Sequence, residues 1–396
     1  MKVQPHDFKK LKISIISPEM SGAGVVRSFL LAQALKMLNY QVEILGFLVE
    51  GKNIYVTPAF DVSIFSVAVD DNYQNFISAS PKILEKVDGD IIYAVKPRSS
   101  SFGISLIKKV MSRRPLVLDI DDWELSWQGG DDWKYSPNPK QLAKDILKKD
   151  GVLRNPDYRF YLKLMEKLVS YSDAVTVNTK FIQNRFGGVY LPNGKDTTLF
   201  DPSKYNPEMS RSRYHLSEYK ILMFPGAPRP YKGVEDVLMA LDLIDQSDFK
   251  LVIVGGSPYD NYDDILMETW GRWIIKLPNF PAEKMPEIVA AAHVIVVPQR
   301  DHPATRAQFP LKLTDGMSMA KPVLASRVGD IPEILGDTGY LVEPNSPEQI
   351  ADTLQLIFQD LHVANDRGLQ ARKRCVELYS IEAMANVLSN VIDQVL

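Results

Sequence analysis

A single cysteine, Cys375, stands in 396 residues. A lone thiol closes no internal disulfide and builds no thiolate metal cluster, so a reducing, cytoplasmic location is the expectation. Long apolar runs are scarce as well. The longest stretch free of Asp, Glu, Lys and Arg, 288–299, includes His293 and is too short to cross a bilayer. From Met1 to Lys12 the chain is polar and basic with no long apolar segment behind it, and no secretory signal is expected. No basic run is interleaved with aromatics, which argues against nucleic acid as a partner. Low complexity is absent too: 45% hydrophobic and 24% charged residues is ordinary globular composition, in a chain long enough for two domains.

The net charge of −3 is unevenly spread. Residues 1–200 carry 27 Lys and Arg against 22 Asp and Glu, and the remainder carries 19 against 27. A mildly basic first half suits an anionic acceptor or a membrane surface, and equally suits ordinary variation between domains.

Short apolar runs alternate with stretches of helical period, twice over. Strands are expected at 12–17, 42–47, 62–67, 91–95, 115–120 and 174–178, then at 220–224, 250–254, 274–276, 294–297 and 322–325. Amphipathic helices lie between them, one carrying Leu30, Leu31, Ala34, Leu35 and Leu38 on a single face. Such alternation predicts α/β architecture: two doubly wound, Rossmann-like domains with a cleft between them. The stretch 197–219, rich in Pro, Ser, Asn and charge, reads as the connection. Expected boundaries are 1–196 for the first domain and 197–375 for the second. A final helix over 376–396 is expected to cross back to the first. In open parallel sheets the ligands sit beyond the carboxyl ends of the strands, so chemistry is sought in the loops there.

After the first strand, Ser17 to Arg27 holds Gly22 and Gly24 before a helix begins. Glycines let backbone approach a ligand, and a helix start offers amides to a phosphate, making both candidate donor contacts. The dinucleotide fingerprint is incomplete, because Arg27 occupies the third glycine position, and a structural tight turn explains the loop as well.

The second half opens with a strand running into Gly226, Arg229 and Lys232 before another helix. A planar guanidinium and a mobile ammonium suit a diphosphate, although a solvated basic loop has the same composition. Further on come Phe309, Pro310, Leu311, Lys312 and Asp315. Proline suits the first helical position, the amides beside it suit an anion, and an acid one turn later can accept from two vicinal hydroxyls, as on a ribose. A capped helix with a surface Asp is the plainer account of the same residues.

These residues bring in a family. The chain resembles glycosyltransferase family 4, retaining enzymes of the GT-B fold, over nearly its whole length. Pro192-Asn193-Gly194-Lys195-Asp196 followed by Phe200-Asp201-Pro202 is similar to that family's segment between domains. Gly226, Arg229, Lys232 and Gly233 match its Gly-x-x-Arg-x-x-Lys-Gly pattern, in which Arg and Lys hold the donor phosphates. Its closing segment is matched by Lys321 to Ser326, Gly329 to Glu333 and Gly339 to Val342. One departure stands out: where the family commonly has two acids flanking Phe-Gly-Leu, this chain has Asp315 but Ala307.

The end of the fifth strand and the loop after it carry Asp119, Asp121, Asp122, Trp123, Trp127 and Trp133. Tryptophan faces stack on sugars and carboxylates accept their hydroxyls, so Trp123 and Trp127 are candidate acceptor contacts. In relatives this loop often carries a histidine or acid near the reacting sugar, which makes Asp121 and Asp122 catalytic candidates. Core packing of the tryptophans, and a divalent metal between Asp119 and Asp121, are the alternatives. His302 follows a strand of the second half as a potential acid or as a plain loop residue. The segment 102–114 sets Ile104, Leu106, Ile107, Val110 and Met111 beside Lys108, Lys109, Arg113 and Arg114, a pattern shared by sheet-covering helices and by helices lying on membranes.

The expectation is therefore transfer of a sugar from a nucleotide-diphosphate donor to a glycan, a lipid-linked glycan or a small molecule, with Arg229 and Lys232 stabilising the leaving diphosphate and no metal. The acceptor would enter near Gly22, Gly24 and Asp121 to Trp123. A non-catalytic sugar-nucleotide-binding protein and a nicotinamide-dependent oxidoreductase are the rivals.

Overall fold

The computed structural model describes residues 11–55, 60–70, 75–148, 150–257 and 260–396. Most of the amino-terminal stretch assessed for a secretory signal lies outside them. The chain divides into two compact units, one ending at Pro192 and taking up Met384–Leu396 again, the other Asn193–Ala383.

In the first unit β1 (Lys12–Ile16), β2 (Gln41–Val49), β3 (Ser63–Val69), β4 (Ile91–Val95), β5 (Leu116–Ile120), β6 (Ala174–Val177) and β7 (Val189–Tyr190) form one sheet. Its order is β3-β2-β1-β4-β5-β6-β7, and every pairing is parallel. Helices α1 (Val25–Met37), α2 (Phe76–Lys86), α3 (Ile104–Ser112), α4 (Pro139–Leu147), α5 (Arg159–Lys167) and α6 (Lys180–Phe186) connect the strands. Every residue of β4 and β5 is buried, the pattern of parallel strands covered on both faces. Strand order reverses between β1 and β4, which makes the carboxyl ends of those two strands the expected ligand crevice.

In the second unit β8 (Lys220–Pro225), β9 (Phe249–Val254), β10 (Ile274–Leu277), β11 (Val294–Val297), β12 (Val323–Ser326) and β13 (Tyr340–Val342) run parallel in the order β10-β9-β8-β11-β12-β13. Its helices are α7 (Pro207–Arg213), α8 (Val234–Ile244), α9 (Tyr262–Trp270), α10 (Met285–Ala290), α11 (Pro303–Arg306), α12 (Leu311–Ser318), α13 (Ile331–Leu335), α14 (Pro347–Gln359) and α15 (Leu361–Tyr379). The last helix, α16 (Ile381–Val395), begins in this unit and ends in the other. Alternate residues of β8 separate into two cores: Ile221 and Met223 on one face, Leu222 and Phe224 on the other. Here the switch point lies between β8 and β11.

The stretch 197–219 differs from its reading as a connection. Phe200 and Leu216 are buried in the second unit's core, and Asn206 caps α7 with its side chain ahead of Pro207. Its helix is short, and its Pro, Ser and Asn serve as cap and first-turn residues, so the sequence shows no period. Two strands the pattern omitted, β7 and β13, are two and three residues long. They lie at sheet edges, where pairing rather than an apolar run defines them.

Candidate functional site

Two groups of polar side chains gather beyond the carboxyl ends of strands, one after β4 and β5 and one at the switch point between β8 and β11, and each unit is described by itself.

In the second unit β8 leads into Gly226, whose φ of +128° belongs to glycine, and the turn closes at Gly233, φ +67°, the N-cap of α8. A Cβ at Gly233 would come 1.9 Å from the Pro298 carbonyl oxygen, so β11 and this turn touch backbone to backbone. Between the glycines, the Arg229 guanidinium donates to Ser257 Oγ (2.6 Å) and Asp260 Oδ2 (2.8 Å). Lys232 Nζ donates to the Ala227 carbonyl at 3.3 Å.

Lys312, in the first turn of α12, reaches back over the Phe224 ring and lies against Gly226, where a Cβ would be 3.2 Å from its Cε and Nζ. Its ammonium is the largest influence on Lys232: repulsion from Lys312, then burial, then Arg229 push the Lys232 pKa down to about 6. Burial lowers Lys312 as well, partly offset by Asp315. Gly226, Arg229, Lys232 and Lys312 thus form one locus in which positive charge is crowded and partly desolvated, the condition of a site shaped for a multiply charged anion.

The 306–317 segment is more mixed. Pro310 is the N-cap of α12, one position earlier than expected, with helical residues from Leu311. Phe309 faces the core against Tyr379 (ring centroids 6.0 Å apart), while Leu311 is exposed. Asp315 forms an ion pair with Lys195, whose ammonium also sits 3.2 Å from the Phe200 ring centroid. Ala307 is fully buried. His302 caps α11, its Nδ1 accepting the Ala304 N–H at 3.2 Å, so the exposed histidine has a structural task.

In the first unit neither Gly22 nor Gly24 has a positive φ among the described residues. Gly22 lies against Glu19, whose carboxylate oxygens would be 3.0 and 3.1 Å from an added Cβ, and Gly24 is the N-cap of α1. Arg27, which breaks the fingerprint, is buried: Nε and Nη2 each donate to Asp119 at 2.8 Å, and Nη2 also reaches the Leu191 carbonyl. Asp119 further accepts from Thr176 at 2.7 Å. Both of its carboxylate oxygens are therefore engaged within the first unit.

Beyond β5, Asp121 and Asp122 gather around Lys96, whose Nζ is 3.5 Å from Asp121 Oδ1, 3.9 Å from Asp122 Oδ2 and 2.6 Å from Glu124 Oε1. Arg98 binds Glu124 Oε2 at 2.5 Å and approaches Asp157 at 3.4 Å. Burial raises the pKa of Asp121 and lifts Asp122 to about 6 against the pull of Lys96. Burial opposes the charge on Glu124 too, yet Arg98 and Lys96 hold it at about 2. Oδ1 of Asp121 and Oδ1 of Asp122 are buried without a hydrogen-bond partner among the described residues.

Trp127 is 40% exposed and its indole N–H donates to Asp122 Oδ2 at 3.1 Å. Trp123 differs from the stacking surface expected of it. It is buried, its N–H donates to Glu166, and the Arg185 guanidinium covers its ring at 4.2 Å. Sequence reasoning missed Lys96, Arg98 and Glu124. The signal was available: Lys96 and Arg98 directly follow a fully apolar strand at the point where site residues gather.

Residues 219–360 match the family described as Glycosyl transferases group 1. The chain is 28% identical over 173 residues to O-antigen chain mannosyltransferase B of Escherichia coli, covering 41% of this chain and 44% of that protein. It is 25% identical over 240 residues to N-acetyl-alpha-D-glucosaminyl L-malate synthase of Bacillus anthracis, covering 58% and 61%. These alignments span about half the length of the curated relatives. Among solved structures, Anabaena HepE in complex with UDP-glucose superposes with a TM-score of 0.71 at 16% identity, over 97% of this chain and 99% of that one. The fold is thus that of GT-B glycosyltransferases, two Rossmann-like domains built on parallel sheets.

Proposed function

We propose that the chain is a retaining glycosyltransferase of family 4 that moves a sugar from a nucleoside-diphosphate donor to an acceptor. The observation that carries this reading is the crowding of Arg229, Lys232 and Lys312 beside Gly226, which holds Lys232 near neutrality until an anion arrives. A diphosphate relieves that repulsion, and it relieves most in the transition state, when charge builds on the leaving group. The backbone at Pro310 to Lys312 adds amides from a helix start, and Asp315 is the group to hold the ribose hydroxyls.

In the first unit Asp122, raised into the working range of a base, is the candidate to take the acceptor proton, with Asp121 beside it. Trp127 offers the acceptor an exposed ring. No metal is assigned a part in this reading. The alternative of donor binding without transfer draws on Ala307, which puts a buried methyl group where the family it resembles commonly has an acid.

Radiolabelled UDP-glucose, presented with a panel of glycans and lipid-linked glycans, tests the assignment after a thermal-shift screen of nucleotide sugars has fixed the base. Arg229→Ala and Lys232→Ala are each expected to reduce turnover by roughly 10²–10³-fold. Near-normal turnover in both removes the reading; tight donor binding without hydrolysis or transfer favours the non-catalytic alternative.

A further inference from the structure

Helix α4 is built inside out. Of its nine residues only Asp145 is buried, where it accepts from Tyr135 Oη (2.7 Å) and Gln141 Nε2 (2.6 Å). Its apolar residues face outward instead: Leu142 is 39%, Ile146 50% and Leu147 77% exposed. A helix that only covers a domain turns its apolar stripe inward. At 100° per residue Leu142, Ile146 and Leu147 share one arc, and Lys140, Lys144 and Lys148 form a stripe directly beside it. All three lysines are exposed, and none forms an ion pair with a described residue.

Helix α3, which the sequence offered as the membrane face, contrasts with this. It also exposes Ile107, Val110 and Met111, but Lys109 is bound to Asp173 and the Tyr171 carbonyl, Lys108 to the Leu84 carbonyl, and Arg114 to the Val87 carbonyl. Most of its cations are spent on the protein, whereas those of α4 are held out to solvent. No helix among the described residues is long and apolar enough to span a membrane.

We propose that α4 lies on an anionic lipid surface, its Leu142, Ile146 and Leu147 entering the headgroup boundary while Lys140, Lys144 and Lys148 contact lipid phosphates. The charge argument selects this occupant: an apolar arc bordered by unpaired lysines complements a bilayer carrying negative headgroups. A second copy of the chain would have to bring acidic groups to the same stripe. The inference stands independently of the sugar-transfer reading.

Co-sedimentation of the full chain with vesicles of equimolar phosphatidylglycerol and phosphatidylcholine tests it, against vesicles of phosphatidylcholine alone, at low and high salt. Binding is expected only to the anionic vesicles and is expected to weaken with salt. Lys140→Glu/Lys144→Glu/Lys148→Glu and Leu142→Ser/Ile146→Ser/Leu147→Ser should each lower it at least about tenfold. Ile107→Ser/Val110→Ser/Met111→Ser should leave it intact.

As a readout that needs only one conservative change, a polarity-sensitive dye on Ile146→Cys should shift to the blue on anionic vesicles; the single native thiol is buried. Absence of wild-type binding, equal binding to the neutral vesicles, wild-type binding by the α4 variants, or loss through the α3 variant each overturns the proposal. Self-association of the wild type that the α4 apolar variant abolishes overturns it in favour of a second copy.

Discussion

At Lys232 a proton is the expected companion of the donor. With its pKa at about 6 in the unliganded protein, the amine is mostly neutral at pH 7.5. A bound diphosphate favours the charged form and raises that pKa, so binding takes up a proton. The sign follows: affinity is fully developed below about pH 6 and declines as pH rises towards the pKa of the complex. Calorimetric titration of UDP-glucose in buffers of different ionisation enthalpy should show this uptake near pH 7.5, and Lys232→Met should abolish it. Asp122 predicts the opposite limb. Its carboxylate form is lost below about pH 6, so kcat/KM should fall there. Asp122→Asn should cost roughly 10²–10⁴-fold at neutral pH. Because Lys96 restrains the Asp122 pKa, Lys96→Met should move the acid limb to higher pH. A wild-type profile flat through that midpoint would sink this role.

Among the elements, the turn between β8 and α8 sets two glycines a few residues apart under different constraints. Both have a positive φ, +67° at Gly233 and +128° at Gly226; Gly233 also meets the immovable Pro298 carbonyl, whereas Gly226 meets only the flexible end of Lys312. Gly233→Ala is therefore expected to lose stability, by about 1–3 kcal/mol or more, in urea unfolding. Gly226→Ala should lose stability too, through backbone strain, and in addition bind UDP-glucose more weakly, because its methyl group displaces the Lys312 ammonium. Undiminished UDP-glucose binding by Gly226→Ala would overturn this account.

The sequence showed this turn plainly, because Gly, Arg, Lys and Gly at fixed spacing within one loop must share a neighbourhood. The polar knot around Asp122 was only half legible. Lys96 and Arg98 follow β4 while Asp121, Asp122 and Glu124 follow β5, and nothing short of strand order says that these ends are adjacent. Trp123 shows the limit from the other side. Its place in the loop suggested a sugar platform, but the partner that covers it, Arg185, is contributed by α6, far along the chain.

For the whole molecule, the alternation of strand and helix was enough to give the architecture, since buried parallel strands announce themselves as unbroken apolar runs. What alternation could not give was the stitching. Arg27 on α1, Asp119 on β5, Thr176 on β6 and Leu191 beyond β7 are joined in a single buried network in the first unit. Arg27→Met should cost about 3–5 kcal/mol in thermal or denaturant unfolding, because it strands the Asp119 carboxylate in the core. Arg27→Met/Asp119→Leu should recover much of that loss, since two uncharged residues leave no orphaned ion.

That lock has a consequence for how this loop can change over time. A glycine at position 27 would restore the missing letter of a dinucleotide fingerprint, but a single substitution there pays with an unpaired charge before any new ligand can compensate. The two positions are free to drift only together, so a lineage moving one step at a time is held where it stands.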